Sequence, residues 1–248
     1  KEIFSHMLAT RGEKYKWFLR ALQAFKYASM SPTKGTFLES YYTLMRYMDD
    51  IVDGDAPLPE KYQSSVEFVE EKIDFAKHSV NPKDPTDHLM LYCFELGNKF
   101  NQEFSSETED ILSSMLFDAK RYGKNIIFPE KEQSYHFHLL DIRGTVSATL
   151  KIFGEDPNKH QILQPLGLAC RLFYNLRDYD EDIQAGLVNI SAEDVEKFNI
   201  SDLENRLSPG VQSWFRDQSE QGLNLLKKHK STVSDGNFGL LARITFPI

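Results

Sequence analysis

The run Tyr42-Thr43-Leu44-Met45-Arg46-Tyr47-Met48-Asp49-Asp50-Ile51-Val52-Asp53 carries both the fold signal and the first chemical signal of this chain. Phe37, Tyr41, Leu44, Met45, Met48 and Val52 recur at three- and four-residue spacing, the period of an amphipathic helix. The spacing predicts a helix from Gly35 to Val52, ended by Gly54 with Pro57 and Pro59. On such a helix Asp49 and Asp53, four residues apart, project from one face.

The same period runs through most of the chain. It predicts helices over residues 10–28, 61–78, 86–101 and 106–122, separated at Ser31-Pro32-Thr33, Asn81-Pro82, Asn101 and Tyr122-Gly123. Residues 131–153 read as a helix interrupted or tightly packed around Arg143-Gly144-Thr145, and residues 158–185 as one long helix. Ser191–Lys197 and Leu203–Leu207 read as short pieces. The last helix, 210–229, puts Val211, Trp214, Phe215 and Leu223 on its buried side. Alternating strand patterns are scarce, and no repeat or linker stands out. The reading is an all-α fold in one domain over residues 1–248. The chain starts at Lys1 without a Met and stops at Phe246-Pro247-Ile248, so incompleteness at either end, the C-terminus included, is allowed for.

Composition narrows the function. A net charge of −8, from 37 acidic and 29 basic residues, argues against a nucleic-acid partner, which needs a basic face. A small phosphorylated ligand stays open, because metal ions reverse the local sign. Eighteen Phe and eleven Tyr suit an aromatic core or the lining of a roomy apolar cavity. Cys93 and Cys170 lack metal-ligand spacing and read as reduced core thiols of a cytosolic protein. No apolar run approaches the roughly 20 residues of a membrane span.

A second acidic run, Arg177-Asp178-Tyr179-Asp180-Glu181-Asp182, repeats the Asp-x-x-x-Asp spacing in Asp178 and Asp182. Acidic clusters near a helix C-terminus are usually just a solvated face. Here, however, Asp49, Asp50 and Asp53 oppose the helix macrodipole and repel one another, which disfavours them without a cation. Each pair also follows an arginine, Arg46 or Arg177, on an otherwise apolar helix. Oxygen-only ligands of this kind suit Mg2+, which takes one or two carboxylates plus substrate phosphates.

These residues resemble the squalene/phytoene synthase family, the head-to-head trans-isoprenyl diphosphate synthases. Tyr42 through Asp53 is similar to the family's aromatic-x-x-x-Arg-x-x-Asp-Asp-x-x-Asp signature, and Leu176-Arg177-Asp178-x-x-Glu181-Asp182 to its second aspartate motif. Phe25-Lys26-Tyr27-Ala28 followed by Pro32, Asp118 on the intervening helix and the small-residue kink Gly144-Thr145-Val146 extend the likeness over about residues 25–190, with a weak continuation at Leu241–Ile244.

The resemblance implies an isoprenoid-synthase helical bundle around a central apolar cavity. Asp49, Asp53, Asp178 and Asp182 would be both catalytic and metal ligands, for Mg2+ with Mn2+ as an alternative. Arg46, Arg177, Tyr42, Phe25, Tyr27, Asp118, Gly144 and Tyr174 would contact substrate. The implied activity ionises an isoprenyl diphosphate and condenses the cation with a second one, as in squalene or carotenoid biosynthesis. Prenyl transfer to another acceptor, a one-substrate terpene synthase, and a non-catalytic lipid-binding or assembly factor are the alternatives. The expected protein is a cytoplasmic monomer with peripheral membrane contact for releasing apolar product. NADPH stays undetermined, because no dinucleotide fingerprint is visible and the family has members with and without it.

The chain departs from the family at several positions. Tyr174 stands where an Asn is usual, with Asn175 one place off, and Arg171 stands for a Gln. Arg143 replaces a small residue, Leu187 and Asn189 replace Arg and Tyr, and Thr245 replaces a Tyr. Arg143 and Arg171 also read simply as partners for acids such as Asp141 or Asp180. His136 and His138, flanking Phe137, are given no role.

Overall fold

The structure, a computed structural model, describes residues 31–245 and, ahead of them, Lys16, Trp17, Arg20, Gln23, Ala24 and Lys26. Most of the helix expected over residues 10–28, including Phe25 and Tyr27, lies outside the described residues. The described residues are helical, with no strand among them. The chain divides into two compact units, up to Met115 and from Leu116 onward.

The first unit holds α1 (Pro32–Val52), α2 (Ser65–His78), α3 (Pro85–Asn98) and most of α4 (Ser105–Arg121). Local chemistry sets their starts. The Ser31 hydroxyl caps α1 by accepting from Lys34 N, and Pro32 fits the first turn, where its missing N–H costs nothing. Ser64 caps α2 and Asp84 caps α3 in the same way. α1 ends where Asp53 N donates to Asp49 O at 2.9 Å and Gly54 takes a left-handed φ of +79°. Its buried face, Phe37, Tyr41, Leu44, Met48 and Ile51, packs against α3 and α2. Phe37 stacks on Tyr41 with centroids 5.1 Å apart and meets Phe104 at 4.1 Å. The buried Tyr41 and Thr108 hydroxyls share a hydrogen bond of 3.0 Å, tying α1 to α4.

The second unit runs through α5 (Glu130–Phe137), a π-helix (His138–Val146), α6 (Ser147–Phe153), a 3-10 turn (Pro157–Lys159) and α7 (His160–Arg177). After these come α8 (Tyr179–Gln184), α9 (Ala192–Lys197), α10 (Pro209–His229), α11 (Thr232–Asp235) and α12 (Leu240–Thr245). The interruption expected near Arg143 is this π-helix, a wider helical form that concentrates at functional sites. α7 packs on the π-helix and on α10. Gly167 lets α7 approach closely, since a Cβ there would come 2.1 Å from Ile142 Cδ1. One apolar cluster joins Leu150, Leu163, Leu166, Phe238 and Ala242, and another joins Tyr179, Val188, Ile190, Val211 and Trp214.

Four expectations need correction. The long helix over 158–185 breaks at Asp178, whose φ of −94° and ψ of 5° separate α7 from α8. Leu203–Leu207 forms turns, because Asp202 and Asn205 side chains accept the backbone N–H groups that a helix would use. Leu223 is exposed, and α10 turns Gln218 and Gly222 inward instead. Cys170 is exposed while Cys93 is buried, with its thiol pushed up to about 12 by burial. No described helix is long and apolar enough to cross a membrane.

Candidate active site

In the first unit the last three turns of α1 and its C-cap present Tyr42, Arg46, Asp49 and Asp53 on a half-buried face, opposite the buried Leu44, Met48 and Ile51. Arg46 donates from one terminal nitrogen to Asp49, and its Nε lies 2.9 Å from Oδ1 of the buried Asp50, an ion pair without hydrogen-bond alignment. Burial opposes the Arg46 charge. The carboxylates of Asp49, Asp50 and Asp53 together outweigh it and raise the guanidinium pKa. Tyr42 adds to the same field.

In the second unit the loop after α8 is stapled to the loop after α4. Gly123 N donates to Ala185 O at 2.9 Å and Asn125 N to Gly186 O at 3.1 Å. The contact needs two glycines: Gly123 and Gly186 both have φ of +72°, and a Cβ on Gly186 would come 2.7 Å from Gly123 Cα. This places Asp182, from α8, in the same electrostatic field as Asp118, from α4. Although α7 and α8 are separate, Asp182 N still donates to Asp178 O at 2.8 Å, so the i,i+4 relation of the pair survives the break. Burial raises the Asp182 carboxyl to about 6, with the charges of Asp178 and Asp118 adding to it. An Asn189 hydrogen bond and the Arg121 charge pull the other way.

Arg177 grips Asp178 with two hydrogen bonds of 2.6 Å, and its guanidinium lies 4.8 Å from the Tyr174 ring centroid. Arg177 and Tyr174 are exposed, and Gly144 is buried within the π-helix. Arg171 binds Asp141 through two bonds of 2.7 Å, so the simple ion-pair reading holds for it. Arg143 is exposed, and Asp180 pairs with Arg206 at 2.6 Å. Leu187 is buried, and Asn189 donates to Asp182 Oδ2 at 2.8 Å.

Sequence reasoning passed over Arg121 and took Asn189 only as a departure, yet both touch the acids here. Arg121 donates to Asp118 Oδ1 from Nε at 2.8 Å and to Asn189 Oδ1 from Nη2 at 2.7 Å. The Arg121–Asp118 pair is a local i,i+3 relation, but nothing local announces the bond to Asn189, 68 positions from Arg121. A different trio, Glu71, Asp84 and Asp87, brings three carboxylate oxygens within 4.8 Å of one another. Its charge is already met by the fully buried Lys72, 2.6 Å from both Asp84 and Asp87, and by Lys61 and Lys83. It is a structural ion-pair network.

Residues 34–234 match the model of the family described as Squalene/phytoene synthase. The chain is similar to a crystal structure of a dehydrosqualene synthase in complex with ligand, with a TM-score of 0.58 and 19% identity over 87% of this chain and 77% of the other. It is also similar to the squalene synthase HpnC from Alicyclobacillus acidocaldarius, with a TM-score of 0.60 and 13% identity over 91% and 87%. At these identities the likeness establishes the isoprenoid-synthase helical fold. No curated protein sequence matches the chain.

Proposed function

We propose, because the chain belongs to the squalene/phytoene synthase family, that it is a metal-dependent prenyltransferase that ionises an isoprenyl diphosphate and joins the resulting cation to a second one. The observation that carries this reading is the geometry of the second pair: Asp182 N donates to Asp178 O at 2.8 Å, which keeps the two carboxylates in an i,i+4 relation, and Asn189 holds Asp182 Oδ2 at 2.8 Å. The donor set is all oxygen and fits Mg2+ or Mn2+, which Asp49, Asp53, Asp178 and Asp182 would hold. Bound there, the ions would neutralise charge on the departing pyrophosphate.

The chain's own residues supply the rest. Arg46, a guanidinium set among three carboxylates, offers a fixed positive charge beside the first pair. Arg177 is exposed and held by Asp178, so it can exchange that carboxylate for a diphosphate oxygen. Prenyl transfer to a different acceptor is a second reading. It is favoured by Leu187, buried at 8% exposure where an arginine is usual in the family. Incubation with farnesyl diphosphate and Mg2+, followed by mass analysis, separates the two. A C30 hydrocarbon or cyclopropyl diphosphate supports condensation, pyrophosphate release without either product supports the second reading, and no pyrophosphate release from this or from a C10 or C20 prenyl diphosphate contradicts both.

A further inference from the structure

Arg121 is buried, with its side chain 2% exposed, and its donors are divided between two purposes. Nε and Nη2 reach Asp118 Oδ1 at 2.8 and 2.7 Å and neutralise it. Nη1 donates to Val188 O at 2.9 Å, while Nη2 also donates to Asn189 Oδ1 at 2.7 Å. Gln133 Nε2 meets the carbonyls of Val188 and Ile190, at 3.3 and 3.2 Å. The peptide groups on both sides of Asn189 are thus held by buried side chains.

The Asn189 amide can point only one way. Guanidinium donates and never accepts, so the atom facing Arg121 is Oδ1. Nδ2 is then left to donate to Asp182 Oδ2 at 2.8 Å. We propose that Asn189, set by Arg121, is a positioning residue that fixes the Asp182 carboxylate for a divalent cation without neutralising it. The amide passes on the rigidity and keeps the charge, as outer-shell partners of ligating carboxylates do. This inference rests on the metal reading of the aspartate pairs given above.

The test is direct Mn2+ binding to the full chain, read by the electron paramagnetic resonance of free ion, for wild type, Asn189→Leu, Asn189→Ser and Asp182→Ala. Wild type is expected to show an ion population that Asp182→Ala removes. The two Asn189 variants should weaken that same population by about tenfold to a hundredfold, with helical circular dichroism unchanged. Wild-type affinity in either folded Asn189 variant overturns the positioning role alone. Absence of Mn2+ binding by wild type overturns this role and the metal reading together. If Asn189→Leu does not fold, the smaller Asn189→Ser decides.

Discussion

Arg171 holds Asp141 through two parallel hydrogen bonds of 2.7 Å, Nε to Oδ2 and Nη2 to Oδ1, clamping α7 to the π-helix. The guanidinium also lies 4.6 Å from the Phe137 ring centroid. Both charged groups are mostly buried, at 16% and 20% exposure, so removing one strands the other. Arg171→Gln is expected to cost about 1–3 kcal/mol. In a double-mutant cycle with Asp141→Asn, thermal unfolding should show a coupling of at least about 1 kcal/mol; additive effects would remove the clamp.

Lys72 is the matching element of the first unit, fully buried between Asp84 and Asp87. Lys72→Met keeps the volume but leaves two carboxylates without their cation, at an expected cost of about 3–5 kcal/mol in unfolding free energy. The network also sets acid sensitivity. Burial alone would raise Glu71, but hydrogen bonds from Tyr62, Lys61 and Lys83 hold it at about 2, and Asp84 is likewise held well below the carboxylate range. These depressed groups stabilise the fold above their unfolded values, so stability should fall as pH drops from 4.5 toward 2.

Asp182 has the opposite sign. Its carboxyl is raised from 3.8 to about 6, so the folded chain binds more protons than the unfolded one in that window. Its contribution to stability therefore declines as pH rises from 3.8 to about 6. Asp182→Asn should flatten that decline in denaturant titrations without metal, and an unchanged slope would contradict the assignment.

Gly186→Ala should be among the most damaging conservative changes. It forces φ of +72° on an L-residue and drives Cβ to 2.7 Å from a backbone carbon of Gly123. The expected loss exceeds about 2 kcal/mol, read as a lower thermal midpoint, while Gly222→Ala, whose nearest contact would be 3.9 Å away, should change little.

Much of this was legible in the sequence, for identifiable reasons. Helices such as Pro32–Val52 and Pro209–His229 announce themselves through apolar spacing and flanking Ser-Pro or Gly signals. Both aspartate pairs are local patterns, and so is the disturbance around Gly144, though not its π-helical form. The Arg121–Asn189–Asp182 chain was not legible, because it spans distant positions brought together by the glycine contact between Gly123 and Gly186. The break at Asp178 was hidden for a different reason: Asp182 N still reaches Asp178 O, so helical spacing persists across it.

In the proposed chemistry the two aspartate pairs act through a divalent metal to expel pyrophosphate. The most direct measurement is pyrophosphate release from C10, C15 and C20 prenyl diphosphates by wild type, Asp49→Ala and Asp178→Ala, each with Mg2+ and with excess chelator. The predicted result is release by wild type only with Mg2+, lowered about a hundredfold or more in either variant. Absence of release from every substrate, or release that survives chelator and both substitutions, would contradict it.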